Sequence, residues 1–173
     1  VLSGLNLKIY ENEIFCILGG NGSGKTTTLS VAANLINAYS GKIKVFGKKL
    51  KEYKNCRLFI VNNGIPYTGY NMGAGEHAVL NLLYEIITAG YGSLIVVDEI
   101  ELGIHISAQK GLVSVLKQLC KKYHCQIVCS THSHYILDEL PPDGRILIQS
   151  SSNNTSIFQE VTPEFALTNM SGI

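Results

Sequence analysis

Apolar positions along this chain form two patterns that alternate from one segment to the next. Short runs rich in apolar residues predict strands buried on both faces, at 14–18, 94–97, 126–131 and 145–148. Longer segments, most of them with apolar residues three or four apart, predict helices over 25–38, 76–90, 107–123 and 135–140. Strands that alternate with helices indicate an α/β protein whose mostly parallel sheet is flanked by helices.

Other segments of the chain do not follow this alternation of buried strands and helices. Residues 2–9 alternate between apolar and polar, which predicts a half-buried strand turned back at 11–13, an antiparallel β addition at the amino-terminal end. Residues 42–46 predict a short strand, and 156–161 an edge strand. Residues 48–71 are polar and irregular and support no prediction.

Length and composition favour one buried core. The chain has 173 residues, of which 46% are hydrophobic and only 16% charged, against about 25% charged in an average soluble domain. We expect a single domain over 1–173. Because the chain begins at Val1, we expect it to be part of a longer protein. No basic-then-apolar leader is visible and five cysteines lack a CxxC pair, so we expect a cytoplasmic location and reduced thiols.

Positive charge is concentrated in one segment. The net charge is +1, yet seven of the fourteen basic residues lie between positions 42 and 57 against a single acid. Two interpretations remain open: a solvated surface that keeps the protein soluble, or a sequence-tolerant surface for DNA or an acidic partner. The seven residues, called the basic segment below, are Lys42, Lys44, Lys48, Lys49, Lys51, Lys54 and Arg57.

A glycine-rich turn follows the first buried strand and precedes a helix. It fits the pattern GxxxxGK[ST], whose backbone N–H groups wrap around phosphate oxygens at a helix amino terminus. Lys25 is expected to reach the terminal phosphates, and the Thr26 hydroxyl to bind Mg²⁺. The predicted nucleotide-binding residues here are Gly19, Gly20, Asn21, Gly22, Ser23, Gly24, Lys25, Thr26 and Thr27.

Two acids end the second buried strand, at 98 and 99. We expect Asp98 to hold Mg²⁺ and Glu99 to polarise the attacking water as the catalytic base. Adjacent acids at a strand end are often merely solvated, but their pairing with the phosphate loop favours the catalytic interpretation.

Two further motifs narrow the class. The sequence STHS at 130–133 follows the third buried strand, where side chains face the ligand crevice of a parallel sheet. The sequence MGAGE at 72–76 precedes a predicted helix and offers a second set of N–H groups to an anion. Each motif is weak alone; their order along the chain is specific.

In that order, the phosphate loop, MGAGE, VVDE and STHS resemble an ABC-type ATPase head over nearly the whole chain. The resemblance implies ATP and Mg²⁺ as cofactors and a homodimer of heads in the ATP state. It also implies that His132 is catalytic, as the switch histidine at the terminal phosphate. The signature that reaches the partner's nucleotide would consist of Gly73, Ala74, Gly75 and Glu76.

Residues 98–105, DEIELGIH, are unlike the corresponding transporter sequence. They resemble the soluble ATPases of the overcoming-lysogenization-defect and phage-defence group, which is similar to chromosome-maintenance ATPases. This resemblance implies a head that controls a nuclease domain or subunit or engages DNA, in antiviral defence or DNA maintenance, with no membrane partner. The alternatives are the ATP-binding subunit of an ABC transporter and a nucleotide-binding scaffold with little turnover.

The sequence departs from the family pattern in three respects. Gly73 replaces the signature serine, no glutamine precedes Gln109, and the helical lobe has almost no room between Gly47 and Asn71. We therefore expect a fold in which that lobe is largely absent.

Overall fold

A computed structural model describes residues 4–33, 35–38, 40–45, 48–49, 56–59, 74–151 and 154–170. Most of the strands form one six-stranded sheet, and two short ones pair antiparallel as a separate ribbon. The strands are β1 (Ile14–Leu18), β2 (Lys44–Val45), β3 (Lys48–Lys49), β4 (Cys56–Phe59), β5 (Leu94–Val97), β6 (Gln126–Ser130), β7 (Arg145–Ser151) and β8 (Asn154–Gln159).

The main sheet has the order β4-β5-β6-β1-β7-β8. Its pairings are parallel from β4 through to β7, and β8 then pairs antiparallel with β7. The predicted, mostly parallel sheet is confirmed. Because β5, β6 and β1 are neighbours that run the same way, their carboxyl ends meet at one edge, where ligands bind in such sheets.

Within the described ranges, five α-helices accompany the sheet: α1 (Lys25–Ala32), α2 (Ala74–Ala89), α3 (Ile106–Tyr123), α4 (His134–Asp138) and α5 (Pro163–Met170). The amino end of α3 is capped by His105, whose side chain accepts the Ser107 N–H, so the helix predicted over 107–123 begins one residue earlier, at Ile106. Ser133 caps α4 by accepting the Ile136 N–H. Among the described residues, no helix has the length and apolar composition needed to span a membrane.

The core lies on both faces of the sheet, as continuous apolar strands require. In β1, Cys16 and Leu18 belong to the larger cluster, which α2, α3, α4 and α5 cover. Phe15 and Ile17 point to the other face, where α1 and the opening residues pack. Burial of a side chain such as Phe15, Ile17 or Leu18 stabilises the fold by about 1.5–3 kcal/mol. This burial fixes the position of β1 and of the loop after it.

The opening segment differs from its prediction. Residues 5–10 form no strand, although Leu5, Leu7 and Ile9 still pack against the core. The Gln126 side-chain Nε2 donates to the carbonyls of Ile9, at 3.1 Å, and Tyr10, at 2.9 Å, and so satisfies backbone groups that a strand partner would otherwise bond. The antiparallel strand of the main sheet is β8, towards the carboxyl end.

Other predicted helix and strand boundaries also differ from the observed ones. The helix predicted over 25–38 ends at Ala32, and the strand predicted over 42–46 is reduced to β2. The segment that gave no prediction contains β4, an edge strand of the main sheet. Residues 50–55 and 60–73 lie outside the described residues, and the expected near-absence of a helical lobe falls largely on them.

Candidate functional site

The turn between β1 and α1 can be built only with glycine at key positions. Gly24, the residue before α1, has a left-handed backbone with φ 97°. A Cβ on Gly19 would collide with the Ile148 carbonyl and the Ser23 hydroxyl. The chain therefore curls tightly over the start of α1, whose first N–H groups have no partner within the helix and favour an anion.

Lys25 lies inside this turn. Its ammonium is buried and donates to the carbonyls of Gly19, at 2.6 Å, and Gly20, at 3.1 Å. Burial lowers the pKa of Lys25 from 10.5, against the raising effect of Asp98, Glu99 and Glu101. Both of these partners are neutral carbonyl groups. Because a buried cation is stabilised when an anion pairs with it, the ammonium is suited to bind an anion in this turn.

Ser23 gives a second sign of a ligand. Its hydroxyl is buried and has no hydrogen-bond partner within the described part of the chain. Such an atom normally costs free energy unless a ligand or water bonds to it. Together with the Lys25 ammonium, it makes the turn fit the phosphate groups that the sequence motif predicts.

The two predicted Mg²⁺ ligands lie beside each other. The Thr26 hydroxyl donates to Asp98 Oδ2 at 2.9 Å, across a gap of 72 positions in sequence. A hydroxyl and a carboxylate are hard oxygen ligands, and Mg²⁺ commonly takes one or two such protein ligands together with phosphate oxygens and water. The donor set therefore fits Mg²⁺ held jointly with a nucleotide.

Asp98 is itself held by Ser130, the last residue of β6. The fully buried Ser130 hydroxyl donates to Asp98 Oδ1 and accepts the Glu99 N–H at 2.8 Å. This contact of Ser130 with both acids is not visible in the STHS motif alone. The available signal was a serine at the carboxyl end of a largely apolar strand.

Glu99 stands just beyond the end of β5. Its side chain is exposed and its backbone is left-handed, with φ 51°. A residue other than glycine adopts this conformation uncommonly, and at some cost in free energy. The Leu102 N–H closes the turn by donating to the Glu99 carbonyl at 2.9 Å, so the carboxylate is presented to solvent next to Asp98.

His132 follows β6 at the same edge of the sheet. Its side chain is exposed, and its backbone N–H donates to Glu101 Oε1 at 2.6 Å. An open cavity of about 380 Å³ lies here, lined by Glu101, Ile106, Gln109, His132, Ser133, His134 and Tyr135. The structure thus brings His132, Asp98 and Glu99 to one edge of the sheet, just beyond the ends of two adjacent strands. Their roles in catalysis stay predictions.

The predicted signature lies partly within the structure. Gly73 lies outside the described residues, while Ala74, Gly75 and Glu76 form the first turn of α2. A Cβ on Gly75 would collide with the carbonyl of Gly103. The start of α2 therefore packs directly on the turn that follows β5.

The basic segment is described in part. Lys42 and Lys44 are exposed, and Lys48, Lys49 and Arg57 lie on β3 and β4. Lys51 and Lys54 lie outside the described residues.

Within the described ranges, no group of three or more His, Cys, Asp and Glu side chains could hold a metal ion.

Comparison with known proteins gives two overlapping family matches. The sequence model described as "ABC transporter" matches residues 2–69. The one described as "AAA domain, putative AbiEii toxin, Type IV TA system" matches residues 39–138, more than half of the chain.

Curated relatives are mostly named as ATP-binding proteins of transporters. The energy-coupling factor transporter ATP-binding protein of Malacoplasma penetrans is 42% identical over 67 residues, which are 39% of this chain and 23% of that protein. The zinc import ATP-binding protein of Histophilus somni is 24% identical over 79% of this chain and 63% of its own length. The chain spans less than two thirds of either relative.

Solved structures share the fold at low identity. A Clostridium perfringens protein from a transporter complex has a TM-score of 0.64 at 17% identity, with 96% of this chain and 84% of that one covered. A dimeric ATP-binding cassette bound to ADP and phosphate has a TM-score of 0.61 at 17% identity, with 92% and 90% covered. These likenesses confirm the predicted fold class. The relatives' names favour the transporter alternative over phage defence, and they give no support to DNA binding or a nuclease partner.

Proposed function

The chain belongs to the family described as "AAA domain, putative AbiEii toxin, Type IV TA system" and is an ABC-type ATPase domain that uses ATP with Mg²⁺; from this premise we propose that it is an ATP-driven switch. Two copies close on two ATP molecules and reopen after hydrolysis. The observation that carries the proposal is the meeting of the buried Lys25 ammonium with the Thr26–Asp98 pair at one edge of the sheet.

Lys25 and the glycine turn bind the phosphates. The loop N–H groups and the start of α1 offer donors, and the Ser23 hydroxyl gains the partner that it lacks. The Lys25 ammonium exchanges two carbonyl contacts for the charged terminal phosphates, to which a charge-assisted bond is stronger. Mg²⁺, when bound to Thr26 and Asp98, neutralises charge on the phosphate oxygens.

Glu99 is the base in this proposal. Its exposed carboxylate lies one residue beyond Asp98, in a turn fixed by Ser130, and it accepts a proton from the attacking water. The His132 imidazole, presented from the adjacent strand end, contacts the terminal phosphate. Both side chains are exposed, so access to a nucleotide in the cleft requires no rearrangement of the core.

Closure uses the start of α2. In this proposal the N–H groups of Ala74, Gly75 and Glu76 bind the terminal phosphate held by the other copy, a helix amino terminus acting on an anion. Because Gly75 packs on the Gly103 carbonyl, this contact is mechanically joined to the turn that carries Glu99. The likeness to a cassette solved as a dimer supports closure by two copies.

We assign the switch to a transporter assembly as its partner, because the curated relatives are named as transporter ATP-binding proteins. A second candidate is a soluble ATPase that controls a nuclease or DNA, in defence or DNA maintenance. It is favoured by the AAA-domain match, which spans both Asp98 and His132.

The test of the ATPase proposal compares wild type with Lys25→Ala, using the exposed Lys42→Ala as the matched control. Calorimetry with Mg-ATP and a phosphate-release assay should show binding and turnover in wild type and in Lys42→Ala, and neither in Lys25→Ala. Equal ATP affinity in all three proteins would remove the phosphate-loop assignment.

The two partner assignments separate in a second experiment. Full-length protein expressed in its source cells should fractionate with membranes under the transporter assignment. Under the second candidate it should bind duplex DNA with an affinity that falls at higher salt, and replacing Lys42, Lys44, Lys48 and Lys49 with Ser should weaken that binding.

A further inference from the structure

One carboxylate spans two groups of the turn that carries His132. Glu101 Oε1 accepts the His132 backbone N–H at 2.6 Å, and Oε2 accepts the Thr131 hydroxyl at 2.5 Å. The two partners lie thirty and thirty-one positions further along the chain. Both acceptor oxygens belong to one carboxylate, and hydrogen bonds to a carboxylate are of the stronger, charge-assisted class.

Glu101 reaches this turn because the ends of β5 and β6 are joined just before it. The Ile100 N–H donates to the Ser130 carbonyl at 3.0 Å, and the Glu99 N–H donates to the Ser130 hydroxyl at 2.8 Å. Three consecutive residues after Asp98 therefore bond to the three consecutive residues 130–132. The turn with the proposed base and the turn with His132 form one bonded unit.

The far side of the His132 turn is also fixed. The Ser133 N–H donates to the Thr131 hydroxyl at 3.1 Å, and the Ser133 hydroxyl donates to Gln109 Oε1. The buried Gln109 side chain in turn donates to the Ile104 carbonyl at 2.9 Å. His132 is thus held on both sides at its backbone, while its imidazole remains exposed at the cavity.

We propose that Glu101 is a positioning residue that holds the His132 imidazole, through the backbone of residues 131 and 132, in the direction of the terminal phosphate. The proposal rests on the function proposed above. Glu101 bonds to the main chain and to Thr131, so it acts on the reaction through His132. It couples the turn that carries Glu99 to the turn that carries His132.

The first test uses a signal that does not depend on activity. In ¹⁵N-labelled protein, the His132 amide proton bonded to a carboxylate should resonate downfield, and Glu101→Ala should move it upfield. Glu101→Gln, whose amide oxygen can still accept that N–H, should move it less. Glu11→Ala, at an exposed turn away from the sheet edge, is the matched control. An unchanged His132 resonance in Glu101→Ala would overturn the proposal.

The second test is kinetic. Loss of an outer partner that orients a metal ligand typically costs on the order of 10-fold to 100-fold. By analogy, we expect kcat to fall by about that factor in Glu101→Ala. The KM for ATP should stay unchanged. Glu101→Gln should recover part of the loss and, since its shape is conserved, guards against misfolding of the alanine variant.

A double-mutant comparison then identifies the route. In a His132→Ala background, Glu101→Ala should cause no further loss, because there is no imidazole left to orient. An equal loss in both backgrounds would overturn the positioning role while leaving the ATPase proposal intact. If wild type itself bound no Mg-ATP, the proposed function would fail, and the His132 amide resonance would still decide the contact.

Discussion

Ser130→Ala is a sharp perturbation of the site, because one buried hydroxyl bonds to both acids. The change removes the bond to Asp98 Oδ1 and leaves the Glu99 N–H without its acceptor. Ser130 is fully buried, and alanine has nearly the same volume, so no sizeable cavity forms. The effect should therefore come from lost hydrogen bonds alone.

Its size can be worked from those two contacts. The hydrogen bond to the Asp98 carboxylate contributes about 1.5–3 kcal/mol, and the Glu99 N–H left without its acceptor costs about 1–3 kcal/mol, so we expect the free energy of unfolding to fall by about 2.5–6 kcal/mol. Asp98 also loses the contact that orients it towards Thr26, so the Mg²⁺ concentration needed for ATP binding should rise by about 10-fold, as for other groups that orient a metal ligand.

Urea unfolding and a Mg²⁺ titration of ATP binding measure the two effects, with the exposed helical Ser114→Ala as the matched control. A Ser130→Ala protein with wild-type Mg²⁺ dependence would refute the reasoning, even if its stability fell. That result would show that Ser130 supports the fold without orienting Asp98.

Two further predictions follow from glycine packing and from a buried charge. Gly75→Ala should lower both stability and turnover because its methyl group collides with the Gly103 carbonyl. Gly111→Ala, with open space around it in α3, should instead raise the free energy of unfolding by about 0.5–1 kcal/mol. A Gly75→Ala protein that is as stable as wild type in thermal unfolding would contradict this. Burial lowers the pKa of Lys25 below 10.5, so between that lowered value and 10.5 the unfolded state binds more protons, and wild type should gain stability relative to Lys25→Met as pH rises through this range. A difference that is constant from pH 8 to 10.5 would count against a buried, charged Lys25.

The parts of the site that the sequence predicted depend on local constraints. The phosphate turn needs glycine where a side chain would collide, as at Gly19, and such a need is visible in a short motif. Asp98 follows a wholly apolar strand and His132 follows a strand with an apolar centre, and the carboxyl ends of parallel strands meet at one edge of the sheet. The spacing of apolar residues and the position of a polar residue after a strand suffice for these inferences.

The parts that it missed depend on contacts between distant segments. Glu101 meets Thr131 only because β5 and β6 are neighbours, which no local pattern specifies. The opening segment has the alternation of a strand, but the Gln126 side chain bonds to its carbonyls instead. The last helix, α5, buries only Pro163 and Ala166 among its eight residues, too weak a stripe to indicate a helix.

The most direct test of the central claim is the assembly state of Glu99→Gln with Mg-ATP. Removing the base while leaving the phosphate turn and the Thr26–Asp98 pair intact should preserve ATP binding and abolish cleavage, so the closed form should accumulate. Sedimentation velocity should show a monomer without nucleotide and a stable dimer with saturating Mg-ATP, while wild type returns to monomer as ATP is consumed. A Glu99→Gln protein that hydrolyses ATP at the wild-type rate, or that stays monomeric at saturating Mg-ATP, would contradict the ATP-driven switch.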